Sequence, residues 1–153
     1  MGNHDVDRIA STLDDDGAAI AAAILFSLPG IPSIYQGDEQ AFRGMKGEGA
    51  SSDDQIRPPL PASPEELSEF GWWMYRHYQE LVAARRRHPW LVDARVEVLD
   101  KANERLSYRV TSRPGNAGCP GNLGEGSLTV TIDLTAPSNT LALDDGNTIT
   151  YTE

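Results

Sequence analysis

Leu28-Pro29-Gly30-Ile31-Pro32-Ser33-Ile34-Tyr35-Gln36-Gly37-Asp38-Glu39 is the stretch on which the fold turns. Proline lacks the N–H that a helix needs, and glycine tolerates a left-handed cap. Pro29 and Gly30 therefore end whatever helix precedes them. Ile31 to Gln36 is a short apolar run of strand-forming residues, so a strand is expected over 31–36. Gly37 breaks it, and Asp38 and Glu39 fall just past its end. A helix feeding a short buried strand with acids at its C-terminal end is the grammar of an α/β barrel or a doubly wound sheet. In such folds the chemistry sits at that end of the strands.

Upstream, the polar residues 1–12 lead into Asp14-Asp15-Asp16, which suit the positive end of a helix dipole and supply caps. A helix is expected over 14–28. Ile20, Ile24, Leu25 and Leu28 mark its apolar face, and alanines fill most of the rest, so it should be buried on most sides. Downstream, residues 40–62 form a long loop rich in Gly, Ser, Asp and Pro, and loops of that length usually serve function. Ser63-Pro64-Glu65-Glu66 reads as a helix start with Ser63 as N-cap and Glu66 closing a capping box. Leu67, Phe70, Met74, Tyr78 and Leu81 continue at three- and four-residue spacing, which predicts one amphipathic helix over 64–88. Arg85, Arg86 and Arg87 complement the C-terminal dipole of that helix, and Pro89 stops it.

From Ala94 the period becomes two. Val96 and Val98, then Leu106, Tyr108 and Val110, then Leu128, Val130, Ile132 and Leu134, alternate with polar residues. Leu141 and Leu143 precede the turn Asp145-Gly146-Asn147, and Ile149 and Tyr151 follow it. This predicts a small antiparallel sheet of about five strands with one face buried.

The whole chain has 153 residues, 39% of them apolar, and a formal net charge of −10. That charge argues against nucleic acid, whose phosphates demand a basic face, and against anionic membrane surfaces. No apolar run approaches the ~20 residues of a membrane helix. Met1 is followed by neither a basic nor an apolar leader, so no signal peptide is expected and the cytoplasm is the expected location. Cys119, the single cysteine, excludes an internal disulfide and a cysteine-rich zinc site. His4, His77 and His88 are too scattered for a metal site. No cofactor and no metal are expected.

Four stretches in order resemble the C-terminal part of the α-amylase family of retaining glycoside hydrolases. Gly2-Asn3-His4-Asp5 with Arg8 resembles the family's last signature, an Asn-His-Asp at the end of the seventh barrel strand. Leu28 to Glu39 resembles helix seven, strand eight and the loop after it. Asp53-Asp54-Gln55-Ile56-Arg57-Pro58-Pro59 is similar to the segment before helix eight, and Leu81 to Leu91 to that helix's end. The resemblance implies an α+β chain. Residues 1–90 would be the last β/α units of a TIM barrel, and 91–153 a small antiparallel sheet or sandwich domain.

In that family a nucleophilic Asp and an acid/base Glu carry out retaining double displacement on an α-glucosidic bond, with carboxyl groups about 5 Å apart. The resemblance implies that Asp5 is the third acid, which stabilises the transition state through sugar hydroxyls. His4 contacts the same sugar, and Arg8 is a secondary substrate contact. An α-glucan or maltooligosaccharide is the implied partner. The Gly-x-Arg-x-Asp nucleophile signature and the Glu signature do not occur here. The chain therefore reads as a piece that starts inside the barrel and is inactive alone. Burying Ile20, Ile24, Leu25 and Leu28 is worth ~1.5–3 kcal/mol each. Self-association is expected, with helix 18–28 or strand 31–36 at the interface. Two alternatives stand beside this reading. One is a non-catalytic glucan- or protein-binding module; the other is a hydrolase using Asp5 with Glu39. Trp72, Trp73 and Trp90 are expected in the core rather than on a sugar.

Overall fold

The computed structural model describes residues 2–49, 51–67, 69–115, 124–135, 140–143 and 147–150, the last two stretches as backbone only. Cys119, Asp145 and Tyr151 lie outside them. The helices are α1 (Ile9–Thr12), α2 (Asp15–Ser27) and α3 (Trp72–Arg87). The strands are β1 (Ala94–Lys101), β2 (Arg105–Ser112), β3 (Ser127–Asp133), β4 (Thr140–Leu143) and β5 (Asn147–Thr150). The chain divides into two compact units, Met1–Ala22 with Ser33–Gln79, and Ala23–Pro32 with Glu80–Glu153.

α2 lies close to the expected span, with Asp15 and Asp16 in its first turn. Gly30 beyond it adopts a left-handed φ of 105°, as a helix-stopping glycine should. The buried face is not the expected one. Ala18, Ala19, Ala22, Ala23 and Phe26 are buried, whereas Ile20, Ile24, Leu25 and Leu28 stay half-exposed. A helix apolar all round offers two candidate faces, and small side chains let neighbouring backbone come closest. Close tertiary packing, which favours the small face over the bulkier one, made the choice.

The strand expected over 31–36 does not form. Residues 31–35 take no regular structure and 36–37 make a turn. Ile31 is 85% exposed and Ile34 44% exposed. A strand exists only through its ladder partners, and this stretch has none among the described residues.

The helix expected over 64–88 begins eight residues late. Pro64–Glu66 and Glu69–Gly71 are separate 3-10 turns, divided by Leu67 in extended backbone at ψ 141°. Ser63 makes no side-chain cap, and Glu66 Oε2 instead accepts from the Ala62 N–H at 3.3 Å. Gly71 explains part of the break. A Cβ there would lie 2.7 Å from Gln40 Cβ, so the chain runs hard against the turn at Asp38–Gln40. Phe70, placed by spacing on the buried face, is 90% exposed. From Trp72 the period holds, and Met74, His77, Tyr78, Leu81 and Ala84 are buried on one side.

In the second unit the five strands pair antiparallel in the order β1-β2-β3-β4-β5. Tyr108, Val110, Leu128, Val130 and Ile132 form its buried face. The register Val110↔Leu128 and Tyr108↔Val130 puts these residues side by side. β1 departs from expectation: Val96 and Val98 lie opposite Val110 and Tyr108 yet remain 43% and 59% exposed. Within this unit Tyr108 OH meets Ser27 Oγ, and Ser27 donates onward to the Ala23 carbonyl at 2.7 Å. Arg85 does not serve its own helix. Its Nη1 donates to the carbonyls of Phe26 at 2.8 Å and Leu28 at 2.6 Å, and its Nη2 to that of Gly30. It thereby satisfies the orphan carbonyls at the end of α2.

Candidate active site

The site residues lie in the first unit. Asn3 Oδ1 accepts the Asp5 N–H at 2.8 Å, an Asx turn that folds Asn3-His4-Asp5 on itself. The chain is then pinned at Arg8, whose N–H donates to the Gly44 carbonyl at 2.9 Å. His4 and Asp5 are exposed neighbours, with Nε2 to Oδ2 at 3.1 Å.

Arg8 has a different place. It is fully buried and its Nη1 reaches Asp38 Oδ1 at 3.2 Å and the Gln36 carbonyl at 2.6 Å. Its guanidinium carbon stands 4.2 Å from the Tyr35 ring centre, a cation–π stack. Nε and Nη2 have no hydrogen-bond partner among the described residues. Asp38 is buried as well, and burial pushes its carboxyl above the usual range against the pull of the Arg8 hydrogen bond and charge. Gly2 fits over this pair because it has no side chain; a Cβ there would fall 2.3 Å from Asp38 Oδ2. The acids after the expected strand thus divide their roles. Asp38 is the buried counter-ion, and Glu39 Oε2 accepts the Gly37 N–H at 2.8 Å to close the turn.

The sequence reading passed over the groups that hold Asp5. Arg57 Nη2 donates to Asp5 Oδ1 at 3.2 Å, and Arg57 Nε to the His4 carbonyl at 2.9 Å. Asp53 Oδ2 pairs with the same Nη2 at 2.7 Å. Lys46 Nζ donates to the Asp5 carbonyl at 3.2 Å and lies 3.6 Å from Asp53 Oδ1. The loop supplying these groups is itself fastened. Ile56 is wholly buried, and its carbonyl accepts from Tyr35 OH at 3.3 Å. The sequence signal was the four-residue Asp53–Arg57 spacing around one apolar residue, which makes a helical turn (Arg57 N–H to Asp53 carbonyl, 2.9 Å).

The remaining aromatic and imidazole groups have their own surroundings. Trp90 is buried, and Trp72 is 36% exposed and meets Tyr75 edge-on. His77 is buried with Nε2 3.2 Å from the Ala19 carbonyl. A carbonyl only accepts, so Nε2 carries the proton, and burial lowers the imidazole pKa to about 4.

Residues 1–71 match the family model for the alpha-amylase catalytic domain. That segment is similar to the alpha-amylase family. Over 155 aligned residues the chain is 26% identical to a 4-alpha-glucanotransferase of Thermotoga neapolitana, covering 82% of this chain and 34% of that protein. It is 39% identical over 62 residues to the alpha-amylase SusG of Bacteroides thetaiotaomicron, covering 39% of this chain and 8% of that one. The chain thus spans about a third or less of the curated relatives it matches. Among solved structures, the alpha-amylase from H. orenii aligns with TM-score 0.61 and 23% identity, over 95% of this chain and 31% of that one. A cyclic alpha-maltosyl-(1→6)-maltose hydrolase from Arthrobacter globiformis aligns with TM-score 0.61 and 19% identity, over 97% and 31%. These structural matches show the fold.

Proposed function

We propose that this chain forms part of a retaining enzyme acting on α-glucosidic bonds of α-glucans or maltooligosaccharides. Asp5 is the carboxylate that steadies the oxocarbenium-like transition state, and His4 is a donor to the same sugar. The observation that carries this is the exposed His4–Asp5 pair, Nε2 to Oδ2 at 3.1 Å, standing inside the segment that matches the family model. Arg8 belongs to the scaffold beneath this site, since a wholly buried guanidinium engaged with Asp38 meets no sugar. The nucleophile and the acid/base come from polypeptide other than residues 1–153, and the chain alone is inactive. Residues 1–90 are the closing part of the barrel and 91–153 the β-domain. The half-exposed Ile24, Leu25 and Leu28, with Ile31 beyond them, support self-association of the free chain.

The test puts residues 1–153 into the Thermotoga neapolitana 4-alpha-glucanotransferase in place of the segment they align with, about a third of that protein. Turnover of maltooligosaccharide is expected, with a loss of at least 100-fold in Asp5→Asn. Unchanged turnover in Asp5→Asn would overturn the assignment. So would turnover of an aryl α-glucoside by residues 1–153 alone.

A further inference from the structure

We infer that Arg57 is a positioning residue for Asp5, through which loop 40–62 sets the geometry of the sugar site. The inference rests on the reading of Asp5 given above. One guanidinium grips two consecutive residues by different atoms: Nε holds the main-chain carbonyl of His4 and Nη2 holds the Asp5 carboxylate. A monodentate contact would leave the carboxylate free to swing about χ1. Gripping main chain and side chain together fixes both the position and the rotation of Asp5. The guanidinium is fixed in turn from behind by Asp53 Oδ2 at 2.7 Å. Lys46 takes the next carbonyl along, that of Asp5 itself, and the Lys46 N–H donates to Asp7 Oδ1 at 2.6 Å. The loop therefore meets the Asn3–Asp7 strip at four points.

The loop is anchored at points that are buried or tightly apposed. Ile56 is at 0% exposure next to Arg57, and a Cβ on Gly44 would fall 2.1 Å from the Gln55 carbonyl oxygen. Asp53 and Lys46 balance the charges around the carboxylate, so Asp5 faces one cation on its side chain and one on its backbone. Such a frame is what a transition-state carboxylate needs, since a misplacement of about 1 Å can cost ~100-fold in rate. Arg57 acts through its contacts with His4 and Asp5, so its part is to hold rather than to react.

The test has two arms. In the joined enzyme described above, Arg57→Gln is expected to lower kcat about 10- to 100-fold with KM changed less than threefold, and Arg57→Lys to recover only part of the loss. In residues 1–153 alone, Arg57→Gln is expected to lower the ¹H–¹⁵N heteronuclear NOE at the His4 and Asp5 amides while that of Ile56 stays unchanged. An unchanged kcat in Arg57→Gln, with Asp5→Asn still inactive, would overturn the inference and leave the reading of Asp5 standing. Unaltered NOE values at His4 and Asp5 would overturn it too. Full turnover in Asp5→Asn would remove the underlying reading first.

Discussion

His77 makes the fold's acid sensitivity calculable. The imidazole is 5% exposed, and its pKa falls from 6.5 to about 4 because burial penalises the charged ring. The unfolded chain binds this proton at the higher pH, so the unfolded state holds more protons below pH 6.5. Stability from this group is complete above that value and is lost as pH drops from 6.5 through 4. With those two values, going from pH 7.5 to pH 4.5 costs about 2.5 kcal/mol. His77→Gln keeps an N–H for the Ala19 carbonyl and cannot charge. Urea unfolding followed by tryptophan fluorescence, wild type against His77→Gln at each pH, removes the carboxylates that titrate in both. The stability difference between the two should move by about 2.5 kcal/mol between pH 7.5 and 4.5, with the wild type losing more. Histidine Cε1–H chemical shifts should give the folded pKa directly. A difference that stays flat across the range, or a folded His77 that titrates near pH 6.5, would refute the reasoning.

Three further outcomes follow from contacts already described. Arg8→Met should cost about 3–5 kcal/mol by leaving Asp38 charged and alone, and adding Asp38→Leu should restore most of it, as a double-mutant cycle by urea unfolding will show. Gly71→Ala should destabilise by about 1–3 kcal/mol, because the new methyl meets Gln40, and a lower urea midpoint with unchanged slope is the sign to look for. Free chain at micromolar concentration should scatter light as more than a monomer, and Ile31→Lys with Leu28→Lys should shift it toward the monomer.

Elements with strong local grammar were legible in the sequence. α2 kept its acidic start and its glycine stop because both act within a turn of the chain. The antiparallel strands followed from their period. Reading failed where a partner far along the chain decides. The stretch 31–36 has strand-forming residues but no ladder, and Phe70 has helical spacing but follows Gln40's demand for a glycine at 71. Ile20 and Ile24 lost the buried face of α2 to alanines for the same reason. Of the candidate site, the Asn-His-Asp motif at residues 3–5 was visible in the sequence, and the role of His4 and Asp5 is the one proposed above. Arg57 was not legible, because its meaning lies in a carboxylate 52 residues away. Arg85 likewise looked like a charge on its own helix end and proved to cap another.

The irregularity in β1 has a consequence for how far the sheet can grow. Between Val98 and Asp100 the register slips by one, so Lys101, not Asp100, lands on the face shared with Leu106 and Ile132. β1 is the outer strand among the described residues, and its Val96 and Val98 leave apolar surface open beside an edge that no described strand pairs. A foreign strand laid along that edge would be drawn to the valines and then meet an ammonium on the apolar side and a kinked backbone beneath it. It could pair for a few residues and no further. The slip thus works as a terminator, which lets the chain keep an uncovered apolar edge without inviting a stack of sheets.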